Sequence, residues 1–403
     1  MVKSLRGMND LIGEESEKYQ YFIEEASKIA KKYGFSYMET PLLEETALFK
    51  RSVGESSDIV GKEMYQFTDK GGNDVCLRPE GTAGVVRSFI QNKFDKRGGT
   101  EKVFYYGAMF RYERPQKGRL RLFHQFGCES FGESSVYEDA STILLIRDIL
   151  ERFEIPFKLK INSLGCSDCM PKYREKLVED LNSKKDELCE DCHRRIDTNP
   201  IRTLDCKNEK CQSELQESPK IVDNLCDNCD DDFERLKRVL ESSNIGYEID
   251  KHLVRGLDYY NKTAFEFVVD GIGAQNAIAG GGRYDKLVDY LDGKTTPAVG
   301  FAIGIERILD LIELPEKEPN GYYFGALDSE FIEQLFELGS RKREEVRTHI
   351  EYSKKSLKSH LKSADKGNYR YCAILGSDEV ENRVIWVKDL VGKFDEKVSF
   401  DSF

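Results

Sequence analysis

Apolar and polar positions alternate along residues 119–129. Leu120, Leu122, His124, Phe126 and Cys128 fall on one side, and Arg119, Arg121, Phe123, Gln125, Gly127 and Glu129 on the other. A period of two predicts a strand. The run before it, residues 103–112, is rich in aromatics, as strands tend to be. Between them lies Arg114-Pro115-Gln116-Lys117-Gly118, charged and turn-prone. Residues 103–132 are therefore expected to form a hairpin. One face carries arginines, then an aromatic, then an amide and a carboxylate. That series could hold a phosphate, a flat base and a small polar molecule. An ordinary amphipathic hairpin with a wet side explains the pattern equally well.

Elsewhere the pattern is mostly helical. Tyr19, Phe22, Ile23, Ala26, Ala30 and Tyr33 recur at helical spacing, and Gly34 stands where a C-terminal cap belongs, so residues 14–33 predict a helix. A short extended run, 35–39, follows and ends at Pro41. Residues 76–82, CLRPEGT, read as a strand end turning into a helix over 83–92. Glu80 and Thr82 would then lie at a helix N-terminus, where polar ligands are favoured. A simple capping pair is the commoner meaning of such residues. Residues 137–153 predict a helix, 157–161 a strand, and 254–270 two strands around Asn261-Lys262. The run Gly280-Gly281-Gly282 lets backbone approach something closely, although many turns carry such runs. A strand over 299–303 enters a helix that carries Glu306 and Arg307, either a surface pair or a guanidinium presented to phosphate. Residues 315–321, PEKEPNG, have the composition of a linker, and 322–403 alternates apolar strands with charged helices, as a small α/β domain does.

Composition narrows the class. A chain of 403 residues, 39% hydrophobic, suits two or three globular domains. No run approaches the ~20 apolar residues of a membrane helix. The N-terminus lacks an apolar signal segment, so a cytoplasmic protein is expected. Net charge is −12, a weak argument against nucleic acid, because binding depends on local patches. One such patch exists: residues 341–370 carry ten Lys/Arg and four acids, a local +6. A solvated charged helix is the commoner reading of such a run.

Taken together, several motifs resemble one family. They are MFRYERPQKGR with HQFGCE (109–129), LRPEGT (77–82), LVRGLDYYN (253–261), AGGGRYD (279–285) and GFAIGIERILDL (300–311). Their order and spacing resemble histidyl-tRNA synthetase, a class II aminoacyl-tRNA synthetase. The resemblance implies an α/β (α+β) fold: a mainly antiparallel sheet flanked by helices, a small Cys-rich insertion and a C-terminal α/β anticodon-binding domain. The expected boundaries are 1–165 and 236–314 for the catalytic core, 166–235 for the insertion and 322–403 for the anticodon-binding domain. The family also implies a homodimer with residues 14–41 at its interface. Its reaction joins histidine and ATP into histidyl-adenylate and pyrophosphate, then moves the histidyl group to the 3′ end of tRNA-His.

The residue types suit that chemistry. A carboxylate must meet an α-phosphate, so charge neutralisation and alignment dominate, and arginine grips phosphate in bidentate fashion. By resemblance, Arg111 holds the α-phosphate, Arg255 bridges carboxylate and α-phosphate, and Arg307 takes the γ-phosphate. Arg119 also falls to the ATP site, Phe123 stacks on adenine, and Mg2+ bridges the outer phosphates. Glu80, Thr82, Gln125, Glu129, Tyr259 and Tyr260 form the histidine pocket. Gln116 and Lys117 touch the acceptor end of the tRNA. Synthetase-like regulatory subunits of histidine biosynthesis share this core but tend to lose catalytic residues and the last domain. The presence of Arg111, Arg255, Arg307 and the tail weighs against that alternative, and also against an RNA-binding protein with a dead core.

Eight of the eleven cysteines form pairs: Cys166/Cys169, Cys189/Cys192, Cys206/Cys211 and Cys226/Cys229. Many members of the family lack them. A reducing compartment favours metal or free thiols over disulfides. The helix expected over 171–182 would be ~18 Å long, whereas sulfurs on one zinc lie within roughly 4 Å of each other. The first two pairs therefore cannot share an ion. The expected groupings are Cys189/Cys192 with Cys206/Cys211, and Cys166/Cys169 with Cys226/Cys229, each a structural Zn2+ site. Reduced thiols without metal are the plainer alternative. CEDCH (189–193) also matches a c-type haem attachment motif, which the missing signal segment disfavours, and His193 could replace one thiolate. Cys76, Cys128 and Cys372 are unpaired and expected to be buried.

Overall fold

A computed structural model describes residues 2–403 except 55, 56, 58, 117, 207, 255–258 and 271–275, and except the side chain of Asp205. The chain forms two compact units, residues 1–314 and 315–403.

The first unit is built on an eight-stranded sheet. Its strands are β1 (Ser36–Tyr37), β5 (Glu101–Phe110), β6 (Leu122–Phe131), β7 (Lys158–Ser163), β8 (Tyr247–Ile249), β9 (Asn261–Val268), β10 (Ala277–Arg283) and β11 (Ala298–Gly304). The missing numbers belong to a three-stranded sheet of β2 (Leu43–Glu45), β3 (Tyr65–Thr68) and β4 (Asp74–Leu77). The large sheet runs β1-β5-β6-β11-β10-β9-β7-β8 and is antiparallel except at its two edges.

Alternation along the strands feeds two different layers. Phe104, Phe126, Phe265, Phe267 and Phe301 point to one side. There they pack against α1 (Gly13–Lys32), whose next helix in the chain is α2 (Thr46–Val53), and against α4 (Val136–Arg152) and α8 (Asp227–Ser242). On the other side Val103, Tyr105, Met109 and Phe131 meet Val85, Val86 and Phe89 of α3 (Thr82–Gln91), together with Tyr259 and Tyr284. The face that reads as wet in the sequence is thus half covered, and the uncovered half is a cavity.

The hairpin is shifted from its expected position. Its second strand starts at Leu122, because Gly118 turns with φ +73 and Gln116 and Arg119 pair across that turn. Arg121 then donates its N–H to Gly7 O at 2.8 Å, using a partner from the chain's start. The two strands expected around Asn261-Lys262 are one strand, β9, with 255–258 outside the described residues. The triple glycine is not a turn but the middle of β10. A Cβ on Gly281 would strike the carbonyl oxygen of Gly300 on the neighbouring strand.

The cysteine-rich segment has its own small core, with Tyr173, Leu177 and Leu181 of α5 (Cys169–Ser183) at its centre. Short helices α6 (Glu190–Thr198) and α7 (Glu209–Glu214) complete it. The boundary expected at 235 falls inside α8. That helix starts beside Cys226 and Cys229 and ends with Leu236 and Leu240 in the main core. Two short helices, α9 (Leu287–Tyr290) and α10 (Ile305–Leu309), follow β10 and β11.

The second unit has strands β12 (Tyr322–Ala326), β13 (Thr348–Ile350), β14 (Tyr371–Leu375), β15 (Val384–Asp389) and β16 (Asp395–Ser399), in the order β13-β12-β14-β15-β16. The first three are parallel, with α11 (Ile332–Arg343) and α12 (Leu357–Lys366) as crossovers. A short helix, α13 (Ser377–Glu381), connects β14 to β15, which begins the antiparallel pair β15 and β16. No described helix in either unit is long and apolar enough to cross a membrane.

Candidate active site

The cavity on the large sheet has a volume of about 280 Å3. Its floor is β6, β10 and β11, where Phe123, Gln125, Ala279, Gly280 and Ala302 present small or flat surfaces. One end is polar and the other is cationic.

The polar end is organised by the start of α3. The Glu80 carboxylate accepts from the backbone N–H groups of Thr82 (2.7 Å) and Ala83 (2.9 Å), satisfying donors that a helix N-terminus leaves open. The capping reading of Glu80 is therefore correct, and the same carboxylate also lines the cavity. Burial pushes its pKa up, and the two N–H donors pull it back. The Thr82 hydroxyl donates to Glu129 at 2.7 Å. Glu129 lies under the cavity rather than in its wall. It is 1% exposed and also accepts from Tyr105 (3.2 Å) and Tyr284 (2.5 Å). Gly300 faces it across the ladder, and a Cβ there would overlap the carboxylate, so this position requires glycine. Burial raises the Glu129 pKa to about 8 against the pull of the Tyr284 and Thr82 hydroxyls.

Two groups at this end stand ready for a ligand. The Gln125 carbonyl oxygen and the Tyr259 hydroxyl are buried and lack a hydrogen-bond partner among the described residues. Both residues line the cavity. A buried polar atom left without a partner costs about 1–3 kcal/mol, so a polar ligand is favoured there. Tyr260 packs on Tyr259 with ring centroids 4.7 Å apart.

The cationic end gathers Arg111, Arg119 and Arg307. Arg111 donates through Nε to Pro79 O at 2.9 Å and lies over the Phe123 ring at 5.2 Å. Arg119 pairs with Glu113 at 2.9 Å. Arg307 donates to the carbonyls of Gly118 and Ala277. Its pKa is lowered, first by burial and then by repulsion from Arg119. Like charges crowded together in this way attract a polyanion.

Glu306 and Arg307 are not a pair. The Glu306 carboxylate instead takes the backbone N–H of His124 (2.9 Å) and its ring Nδ1 (2.8 Å), anchoring α10 to β6. Gln116 is exposed in the hairpin loop. Arg255 and Lys117, both expected in the site, lie outside the described residues. The expectations omit Tyr105, Glu113, Glu266, Tyr284 and Glu306. Glu113, Tyr284 and Glu306 lie inside the quoted motifs, whereas Tyr105 and Glu266 carried no signal of their own in the sequence.

The eight paired cysteines come together as two quartets, Cys166/Cys169/Cys226/Cys229 and Cys189/Cys192/Cys206/Cys211, each with all four sulfurs within 4.8 Å of one another. His193 joins neither, and its Nε2 contacts Lys185 O at 2.7 Å. Cys76, Cys128 and Cys372 are buried.

A mainly antiparallel sheet carrying an arginine cluster beside a small polar pocket is the catalytic core of a class II aminoacyl-tRNA synthetase. The histidyl-tRNA synthetase family matches residues 7–308, and an anticodon-binding domain family matches 327–403. The chain is 61% identical over its full length, and that of the relative, to histidine–tRNA ligase of Sulfurimonas denitrificans. It is 56% identical to that of Campylobacter fetus, with 99% of this chain and 98% of the relative covered. The crystal structure of apo S. aureus histidyl-tRNA synthetase superposes with a TM-score of 0.84 at 32% identity, covering 100% of this chain and 98% of that one. The chain belongs to the histidyl-tRNA synthetase family.

Proposed function

We propose that the protein is a histidine–tRNA ligase. It activates histidine with ATP and transfers the histidyl group to the 3′ end of tRNA-His. The observation that carries this reading is the cavity itself, with a Gln125 carbonyl and Tyr259 hydroxyl that lack partners among the described residues, beside three arginines. The Gln125 carbonyl can only accept, so its partner is an N–H of the imidazole or the ammonium. The Glu80 and Glu129 carboxylates favour the ammonium charge. A pocket of such hydrogen bonds rejects apolar amino acids by roughly 10⁴-fold.

In the activation step Arg111 neutralises the α-phosphate, Arg255 bridges it to the histidine carboxylate, Phe123 supports adenine, and Arg119 and Arg307 hold the outer phosphates. Mg2+ supplies further charge neutralisation when bound. Histidine-dependent exchange of pyrophosphate into ATP, followed by charging of tRNA-His, tests the reading. Absence of exchange with histidine in folded protein rejects it in favour of a regulatory role.

The acceptor end of the tRNA meets Gln116 and Lys117. In the second unit, several basic residues of 341–370 are engaged within the protein: Lys342 with Glu345, Lys355 with Glu351, and Arg370 with Asp389. Lys358, Lys362 and Lys366 are exposed at four-residue spacing on α12 and make no ion pair among the described residues, so they offer a phosphate-binding stripe. A homodimer through residues 14–41 would cover Tyr37, 46% exposed, and the loop around it. Light scattering is expected to return twice the chain mass, and a monomer at micromolar concentration excludes this part.

The quartets fit zinc. Ideal tetrahedral coordination at ~2.3 Å places sulfurs about 3.8 Å apart. The separations Cys166–Cys169, Cys166–Cys226 and Cys189–Cys206 are each 3.8 Å. Backbone N–H groups aim at the sulfurs, Cys226 at Cys169 (3.1 Å) and Cys189 at Cys211 (3.2 Å), which stabilises thiolates. The insertion, residues 166–235, would thus be held by two structural Zn2+ ions between the parts of the core at 1–165 and 236–314, with 322–403 as the anticodon-binding domain.

A further inference from the structure

The two quartets have the same donors but different mechanical settings. Cys189, Cys192, Cys206 and Cys211 all lie within the insertion, packed with Leu188, Ile196 and Leu215. The other quartet joins the insertion's two ends. Cys166 and Cys169 follow β7, and Cys226 and Cys229 open α8, so one ion there clasps the neck.

Both sides of that neck grip Lys262. On one side, Leu164 N–H donates to Lys262 O at 2.6 Å and Lys262 N–H donates to Gly165 O at 2.7 Å, one residue before Cys166. On the other, Lys262 Nζ pairs at 3.0 Å with Asp232, three residues after Cys229. Lys262 adopts φ +49, a conformation that a lysine keeps only when its surroundings impose it. Tyr260, two residues upstream, packs on the insertion's core and against Tyr259 of the histidine pocket.

We propose that the neck quartet, with zinc bound, positions the histidine pocket. It fixes Lys262 and through it Tyr259 and Tyr260, while the distal quartet holds the outer insertion. The proposal rests on the zinc reading above. The neck cysteines, Lys262 and Asp232 are positioning residues and do not touch substrate.

The test measures zinc by elemental analysis and the histidine and ATP KM by pyrophosphate exchange, on full-length protein purified without chelator. Wild type is expected to carry two zinc ions per chain. The double variant Cys226→Ser/Cys229→Ser should retain one and raise the histidine KM by about tenfold or more, with the ATP KM within about twofold. Cys189→Ser/Cys206→Ser should also retain one zinc but leave both KM values unchanged. Should the neck variant fail to fold, Lys262→Met and Asp232→Asn carry the test. Both should keep two zinc ions and raise only the histidine KM, by about two- to fivefold. An unchanged histidine KM in these variants, or an equal rise from the distal variant, overturns the proposal. Wild type without zinc would remove the metal reading and this inference with it, whereas two zinc ions with a flat histidine KM would overturn the inference alone.

Discussion

Arg111→Ala is expected to lower histidine-dependent pyrophosphate exchange by about 10²–10³-fold, the cost of losing one preorganised donor to developing charge. Arg111 sits just past the end of β5, and its Nε is spent on Pro79 O at 2.9 Å. That bond and the Phe123 face set the plane of the guanidinium before any ligand arrives. A donor already oriented loses little freedom on binding, so it acts in full where the carboxylate meets the phosphate. Lysine should not restore the rate, because a point charge cannot reproduce both the Pro79 bond and a bidentate grip. The fold should be little affected, since Arg111 is only half-buried. Single-turnover adenylate formation, alongside a melting curve, reads both effects. Near-normal exchange in folded Arg111→Ala would remove Arg111 from the machinery. The same fall is expected for Arg255→Ala, and near-normal exchange there would remove the proposed bridge.

The second large effect is expected at Glu129. Glu129→Ala removes the acceptor of three buried hydroxyls, from Thr82, Tyr105 and Tyr284. Each is then left without its partner, and a void opens beside Gly300. The loss of stability should be on the order of 3 kcal/mol or more. Glu129→Gln keeps the volume and, by hydroxyl rotation, the hydrogen bonds, and removes the charge. It should raise the histidine KM by about 10- to 100-fold, since a bound ammonium draws the Glu129 carboxyl into its charged form and a glutamine cannot ionise.

The same pair separates the pH effect. The Glu129 carboxyl is raised to about 8 in the folded protein, above the ordinary value of 4.5. Between those values the folded chain holds a proton that the unfolded chain has released. Its contribution is therefore complete at pH below 4.5 and is lost as pH rises towards 8. Melting curves from pH 5 to 8 should show wild type losing stability with pH relative to Glu129→Gln. Parallel curves for the two proteins would show that Glu129 titrates elsewhere.

Much of the site was legible because its parts are local. The alternation through Phe123 and Gln125 places both on one face of any strand, and β6 keeps that face towards the cavity. The quartets were legible for the same reason. A helix of known length keeps Cys166/Cys169 and Cys189/Cys192 apart, and α5 is such a helix. The exact start of β6 was not legible, because it depends on Gly7 pairing with Arg121, more than a hundred positions away. Nor could the sequence tell whether Glu306 served Arg307 or His124, since both lie within reach until α10 docks on β6.

By itself, the sequence proposed which residue types suit which chemistry: arginines for phosphate, amide and tyrosines for the amino acid, thiolates for metal. The linker composition at 315–321 stands where the second unit begins. Only the tertiary structure decided depth. It placed Glu129 beneath the cavity, made Glu80 both cap and wall, and left the Gln125 carbonyl and Tyr259 hydroxyl without partners among the described residues. The reason is physical. Period and propensity are short-range, whereas burial and hydrogen-bond satisfaction are settled by strands that meet across the sheet, as Glu129 meets Gly300.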